Sequence, residues 1–261
     1  MHSGLFSHII LGCRDATRGE TAVSQIKSQL KAVPPITPTS STDILYLPLT
    51  LGDNRSHQNV RKVLENKFGK VDVLVNNASI AYKGSDPTPH NEQCTPTLDI
   101  NFRGTVDLTQ ELLPLLRRGD DARIVNVASM AGRLLQLRSA DLRSKFTSPD
   151  LTITLLQKYV DQYEKDVLDG TYNEKGWGNS NYGMSKLAVM AATRIWAREE
   201  ACNNINVNCC CPGYCDTDMT SHKGPRPPED GARNAIIPAT MDNPPTGQFF
   251  QNYEVSNWLE S

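Results

Sequence analysis

Val71-Asp72-Val73-Leu74-Val75-Asn76-Asn77-Ala78-Ser79 is the stretch on which the fold turns. Valines and a leucine run up to two asparagines and two small residues, and the apolar character stops there. β-Branched side chains favour the extended chain, and a short apolar run bounded by polar residues suits a strand buried on both faces. Strands of that kind belong to parallel sheets covered by helices. In such sheets ligands gather where the strands end, so 76–79 is a candidate edge of a site.

The same alternation repeats on both sides. Upstream, 9–13 reads as a strand, and 16–30 as a helix with Ala22, Val23, Ile26 and Leu30 on one stripe. A Pro/Ser/Thr turn over 31–42 leads to a strand over 44–49. A helix over 56–68 carries Val60, Val63, Leu64 and Phe68 on one face and stops at Gly69. Downstream, a Pro-rich loop over 84–96 precedes a long helix over 98–116 and a strand over 122–127. An excursion over 134–178 contains a helical stretch at 151–168. An amphipathic helix over 182–201 and a strand over 205–210 follow, then Pro-rich chain to Pro245 and a short strand over 246–250. Strands alternating with helices predict an α/β fold with a doubly wound parallel sheet, in a single domain over 1–261 with 134–178 as an insertion.

The chain has 261 residues, with 27 Lys and Arg against 29 Asp and Glu, for a formal charge of −2. That balance argues against a nucleic-acid-coating protein. The seven cysteines include the run Cys209-Cys210-Cys211 and show no zinc-site spacing, so no metal is expected. Reduced thiols and a cytoplasmic setting are expected instead, with the cysteine run packing a strand. No run of 18 apolar residues exists, so no membrane span is predicted, and 1–14 reads as neither signal nor anchor.

Four polar features fall at strand ends: Arg14-Asp15, Asn76-Asn77-Ala78, Ser129, and Pro212-Gly213 with Thr217. Taken singly, each reads first as a turn or a helix cap, but the four together point to a site. Tyr182 and Lys186 lie four apart near the start of a helix and share a face. An ammonium beside a phenol favours the phenolate and lowers the phenol pKa, which makes the two a candidate proton-transfer pair. The other reading of that spacing is a solvent-facing helix side with an extended lysine.

Val73-Leu74-Val75-Asn76-Asn77-Ala78, Asn101, Ser129 and Tyr182-Gly183-Met184-Ser185-Lys186 together resemble the short-chain dehydrogenase/reductase family. Ala81-Tyr82-Lys83 with Asp86-Pro87-Thr88-Pro89, Gly176-Trp177, Cys210-Cys211-Pro212-Gly213-Tyr214 and Thr217-Asp218-Met219 resemble its monomeric carbonyl reductases, as does the closing Gly247-Gln248-Phe249. The resemblance runs from about Ile9 to the end of the chain.

That resemblance implies a Rossmann-like fold and a reductase of ketones, aldehydes or quinones that uses NADPH. By it, Tyr182 donates the proton, Lys186 lowers its pKa and holds the nicotinamide ribose, and Ser129 hydrogen-bonds the substrate oxygen. Asn101 positions a relay water. Asn76 and Ala78 line the adenosine side, while Pro212, Gly213 and Thr217 flank the nicotinamide. Arg14 and Arg18, at the end of a strand, take the 2′-phosphate and favour NADP(H) over NAD(H). The 134–178 insertion implies a monomer, and the partner is a small carbonyl compound. The pocket is expected to be apolar, formed by Met130, the 134–142 region, Trp177 and the segment after Thr217.

Three departures stand out. Ser79 replaces a glycine, and Thr50 stands where an aspartate touches adenine, with Asp53 three positions away. The family's opening strand and glycine-rich loop have no counterpart, since Gly4-Leu5 is too near Arg14. The chain is therefore expected to lack its first βα unit, with apolar strand edges left open. The alternative to an active reductase is a catalytically impaired chain with an interaction or regulatory role.

Overall fold

The computed structural model describes residues 6–32 and 42–259. Gly4, Leu5 and most of the turn read over 31–42 lie outside the described residues.

Strands β1 (His8–Cys13) and β2 (Asp43–Pro48) pair in parallel across the crossover helix α1 (Ala16–Ala32). Helix α2 (Asn54–Phe68) leads to β3 (Val73–Asn76), the strand of the opening motif. Two side-chain and backbone devices set the ends of α2. The Asp53 carboxylate accepts the Arg55 and Ser56 N–H groups at its start. Gly69, at φ 74°, turns its N–H back onto the Leu64 and Glu65 carbonyls at its end.

Strands β3, β4 (Arg123–Val127), β5 (Asn206–Cys211), β6 (Phe249–Gln251) and β7 (Glu254–Ser256) form the second sheet in that order, with only β7 antiparallel. Among the described residues β1 pairs only with β2, and β3 only with β4. The sheet is thus in two pieces, and Ile9 of β1 and Val75 of β3 stand 46% and 44% exposed.

Between β3 and β4 run α3 (His90–Leu98), a π-helical turn (Asp99–Arg103) and α4 (Gly104–Leu116). Between β4 and β5 run α5 (Ala140–Thr147), α6 (Ile153–Leu168) and α7 (Asn181–Glu199), and α8 (Pro228–Thr240) precedes β6. Alternation along the central strands explains the double winding. Ile124 of β4 and Cys209 and Cys211 of β5 join the large core beneath α4 and α7. Val125 and Cys210 face the other way, into a small cluster with Ala235, Ile237 and Ala239 of α8. The three cysteines are 2%, 0% and 4% exposed, so the run packs the sheet as expected.

Three helices depart from the sequence reading, one of them α5, in a part of the 134–178 excursion read without an element. The 84–96 loop ends at Pro89, and α3 begins at His90 despite Pro96 in its last turn. Pro96 removes one ladder N–H, and the helix widens into the π turn three residues later. The Pro-rich chain before Pro245 contains α8, where Pro228 sits in the first turn with Glu229 and Asp230. Proline is suited there because that N–H has no helical partner, and acids there meet the positive end of the helix dipole. No helix among the described residues is long and apolar enough to cross a membrane.

Candidate active site

Ser129 leaves β4 and caps a short 3-10 turn (Met130–Gly132), its Oγ accepting the Ala131 N–H at 3.2 Å. That turn is seated on α7. A Cβ on Gly132 would meet the Lys186 carbonyl carbon at 2.6 Å and the Leu187 nitrogen at 2.7 Å. A Cβ on Gly183 would meet the Ala131 carbonyl oxygen at 2.8 Å. Gln136 closes the contact by donating through Nε2 to the Ala131 and Gly183 carbonyls, both at 3.0 Å. Two glycines therefore bring Ser129, Tyr182 and Lys186 together.

Lys186 is 3% exposed and its Nζ donates to the Val127 carbonyl at 2.8 Å. Burial of the ammonium lowers its pKa to about 8. Tyr182 departs from the sequence expectation. Burial pushes its phenol up, while a hydrogen bond with Ser129 pulls it down less strongly. The ammonium sits over the ring, 5.6 Å from its centroid, so Lys186 does not offset the desolvation of the oxygen.

Asn101 lies in the π turn and is 1% exposed. Its Oδ1 accepts the Ile80 N–H at 2.8 Å, and its Nδ2 donates to the Ile80 carbonyl at 2.9 Å and to Ser185 Oγ at 3.0 Å. The carboxamide thus pins the segment after β3 to α7. Asn76 turns its Nδ2 inward, to Thr109 Oγ1 at 3.0 Å and Asn126 Oδ1 at 2.8 Å. Ala78 is exposed beyond it.

Pro212 and Gly213 leave β5, with Gly213 at φ 86° and its N–H aimed at the buried Cys211 sulfur at 3.3 Å. Thr217 caps the short turn Asp218–Thr220. Arg14 and Arg18 are both exposed at the carboxyl end of β1. Asp53 is engaged as the α2 cap, and the Thr50 N–H is held by Ser56 Oγ at 2.9 Å. Both cap bonds fall on Asp53 Oδ1.

Of the expected apolar lining, Met130 is half-buried and Leu135 and Met219 are exposed, whereas the other large apolar side chains are packed away. Trp177 is 2% exposed, donates to Asp166 Oδ2 at 2.8 Å and packs on Tyr163 and Phe146. Leu137 and Leu142 are core residues. A cavity of about 180 Å³ instead adjoins Tyr182, bounded by polar side chains that include Tyr82, His90, Gln93 and Asn181. His90, Gln93 and Asn181 were not marked by the sequence. Their signal was hidden because His90 and Gln93 lie in the stretch read as loop.

The site offers donors suited to the two ends of a nicotinamide dinucleotide. A buried ammonium with one carbonyl partner retains two further donors, which suits a ribose diol. Two exposed guanidinium groups at a strand's carboxyl end suit a phosphate. These two ends fit NADP(H).

Known proteins place the same residues in context. The short chain dehydrogenase family matches over residues 13–156 and 170–227. Human carbonyl reductase [NADPH] 1 is 36% identical over 264 residues, covering 97% of this chain and 90% of its own. The mouse protein of the same name is 35% identical, at 96% and 88% coverage. Salutaridine reductase from Papaver somniferum superposes with a TM-score of 0.80 at 25% identity, covering 93% of this chain and 90% of that one.

Proposed function

The chain belongs to the short chain dehydrogenase family, and from that premise we propose that it reduces ketone, aldehyde or quinone carbonyls with NADPH, giving alcohols or hydroquinones. One observation carries the reading. Ser129, Tyr182 and Lys186 meet at the carboxyl ends of β4 and β5, with Ser129 lowering the phenol pKa against the upward push of burial and the ammonium bonded to the Val127 carbonyl.

The cofactor, when bound, supplies the hydride. The protein's residues do the rest. A phenol pushed up by burial is protonated at neutral pH, the state a proton donor for reduction needs. Ser129 steadies the substrate oxygen as negative charge develops on it. Lys186 holds the ribose hydroxyls through its two remaining donors and keeps positive charge beside the ring. Arg14 and Arg18 hold the 2′-phosphate, and Pro212, Gly213 and Thr217 flank the nicotinamide. Asn76 and Ala78 border the adenosine side, and Asn101, anchored to Ile80 and Ser185, positions the water that links Lys186 to a proton relay.

We take the protein to be cytoplasmic; we also take it to be a monomer, since α6 packs on α7 and α3 and so covers a face of α7. Sedimentation velocity should give one species near 28.9 kDa.

Titration with NADPH, followed by nicotinamide fluorescence, should saturate, and menadione should then be reduced. Tyr182→Phe should abolish turnover while sparing binding. No saturable binding at hundreds of micromolar NADPH, or full activity in Tyr182→Phe, would overturn the reading.

A further inference from the structure

Asn181 immediately precedes Tyr182 and is 5% exposed. It opens α7, where backbone N–H groups lack helical partners and the chain direction is held by whatever grips the first turn. Ser180 grips it from one side by accepting the Gly183 N–H at 2.9 Å. Asn181 grips it from the other with both ends of its carboxamide. Its Oδ1 accepts the Tyr163 phenolic O–H of α6 at 2.8 Å. Its Nδ2 donates to the His90 carbonyl of α3 at 2.7 Å and faces His90 Nδ1 at 3.4 Å.

Both partners are themselves fixed. Tyr163 is 0% exposed, and its ring meets Trp177 edge-on at 5.5 Å. Burial pushes its phenol up, so it remains a donor. The His90 ring stacks on Tyr172 at 5.2 Å, and burial lowers its pKa. Its Nδ1 faces the Asn181 amide, and its buried Nε2 has no hydrogen-bond partner. The same helix α6 braces the opposite flank of the site. Asp161 and Glu164 hold Arg103, two residues past Asn101, at 2.7 and 2.5 Å.

We propose that Asn181 is a positioning residue for the reduction, held by Tyr163 and His90 so that the first turn of α7 sets where the Tyr182 hydroxyl stands against Ser129. This rests on the reading of Tyr182 as proton donor. Adjacent Cα atoms are about 3.8 Å apart, so a shift of Asn181 is passed directly to Tyr182 and magnified along its side chain. The segment 134–178 then has a catalytic consequence, because α6 supplies the partner.

Tyr163→Phe in the full chain keeps the ring and removes only the O–H. We expect kcat to fall about tenfold, as for a small misplacement of a reacting group, with substrate KM and NADPH Kd within about twofold. The Gly183 and Met184 amides should exchange faster with solvent, while α6 amides do not. Asn181→Ala should match that loss, and the double variant should be no worse than Asn181→Ala alone. Unchanged kcat and exchange in Tyr163→Phe would overturn the proposal. So would losses that add in the double variant, or a fall in Tm and NADPH affinity that accounts for the lost activity. If the wild-type chain reduces no carbonyl, the Tyr182 reading itself falls and takes this role with it. If the wild type turns over and Tyr163→Phe is normal, only this proposal falls.

Discussion

The Lys186 ammonium stands over the Tyr182 ring, 5.6 Å from its centroid, and bonds the Val127 carbonyl rather than the phenol. A cation in that place attracts the ring face. It orients the phenol while leaving the hydroxyl proton where burial keeps it.

Lys186→Met should therefore separate stability from activity. A base whose pKa is depressed to about 8 by folding loses stability as pH falls below its unfolded value of 10.5. At pH 7 the variant should gain up to about 3 kcal/mol from that relief. The gain should shrink as pH rises from 8 towards 10.5, as urea unfolding at two pH values would show. Activity should drop at least about a hundredfold.

Ser129→Ala should lower kcat about a hundredfold with little effect on NADPH affinity, since it removes a donor aimed at charge that develops only during the reaction. Steady-state kinetics alongside a binding titration would check this.

His222 bonds Asp216 through Nδ1 at 2.7 Å and Asp218 through Nε2 at 3.0 Å. Carboxylates only accept, so both bonds need the doubly protonated ring, and the two acids raise its pKa. The clamp is complete below the ordinary histidine value and is lost as pH rises through the raised one. Because it spans Thr217, NADPH affinity should weaken across that rise. His222→Ala should remove this pH dependence, which titrations from pH 6 to 9 would test.

Arg117 bonds Glu200 at 3.0 and 2.7 Å, and holds its carboxyl below the usual range although Glu200 is 3% exposed. Arg117→Ala should cost about 2 kcal/mol. The cost should fade as pH falls and Glu200 protonates, because a depressed acid stabilises above its unfolded pKa and loses that contribution below.

Asp53→Ala should cost about 1 kcal/mol through the lost cap and leave NADPH affinity unchanged. A loss of affinity would place Asp53 in the cofactor site after all.

Hydrophobic period made α2 legible through its stripe, and short apolar runs made β3, β4 and β5 legible, whereas α7, expected to be amphipathic, is buried on nearly every side. Proline obscured α3 and α8, although Pro228 followed by two acids was itself a start signal. Ser129, Tyr182 and Lys186 were legible as a motif set, and the structure brings them together. The direction of the Tyr182 shift was not, because spacing reports nearness and not burial. The grip on Asn181 was illegible for a different reason. His90 and Tyr163 lie 91 and 18 positions away, and no local pattern encodes that meeting.

The break between β1 and β3 has a mechanical side. No strand ladder among the described residues ties β1 and β2 to the other sheet. Ile10, Leu47 and Leu49 lean on the main core, and the His8 ring lies 4.8 Å from Phe68. Arg14 and Arg18 ride on this lightly tethered unit, while Tyr182 and Lys186 belong to the firm one. A dinucleotide gripped at both ends, as proposed, would be a cross-brace between them. Its affinity would then include the work of docking one unit on the other, and side chains at that joint would govern binding without touching the ligand.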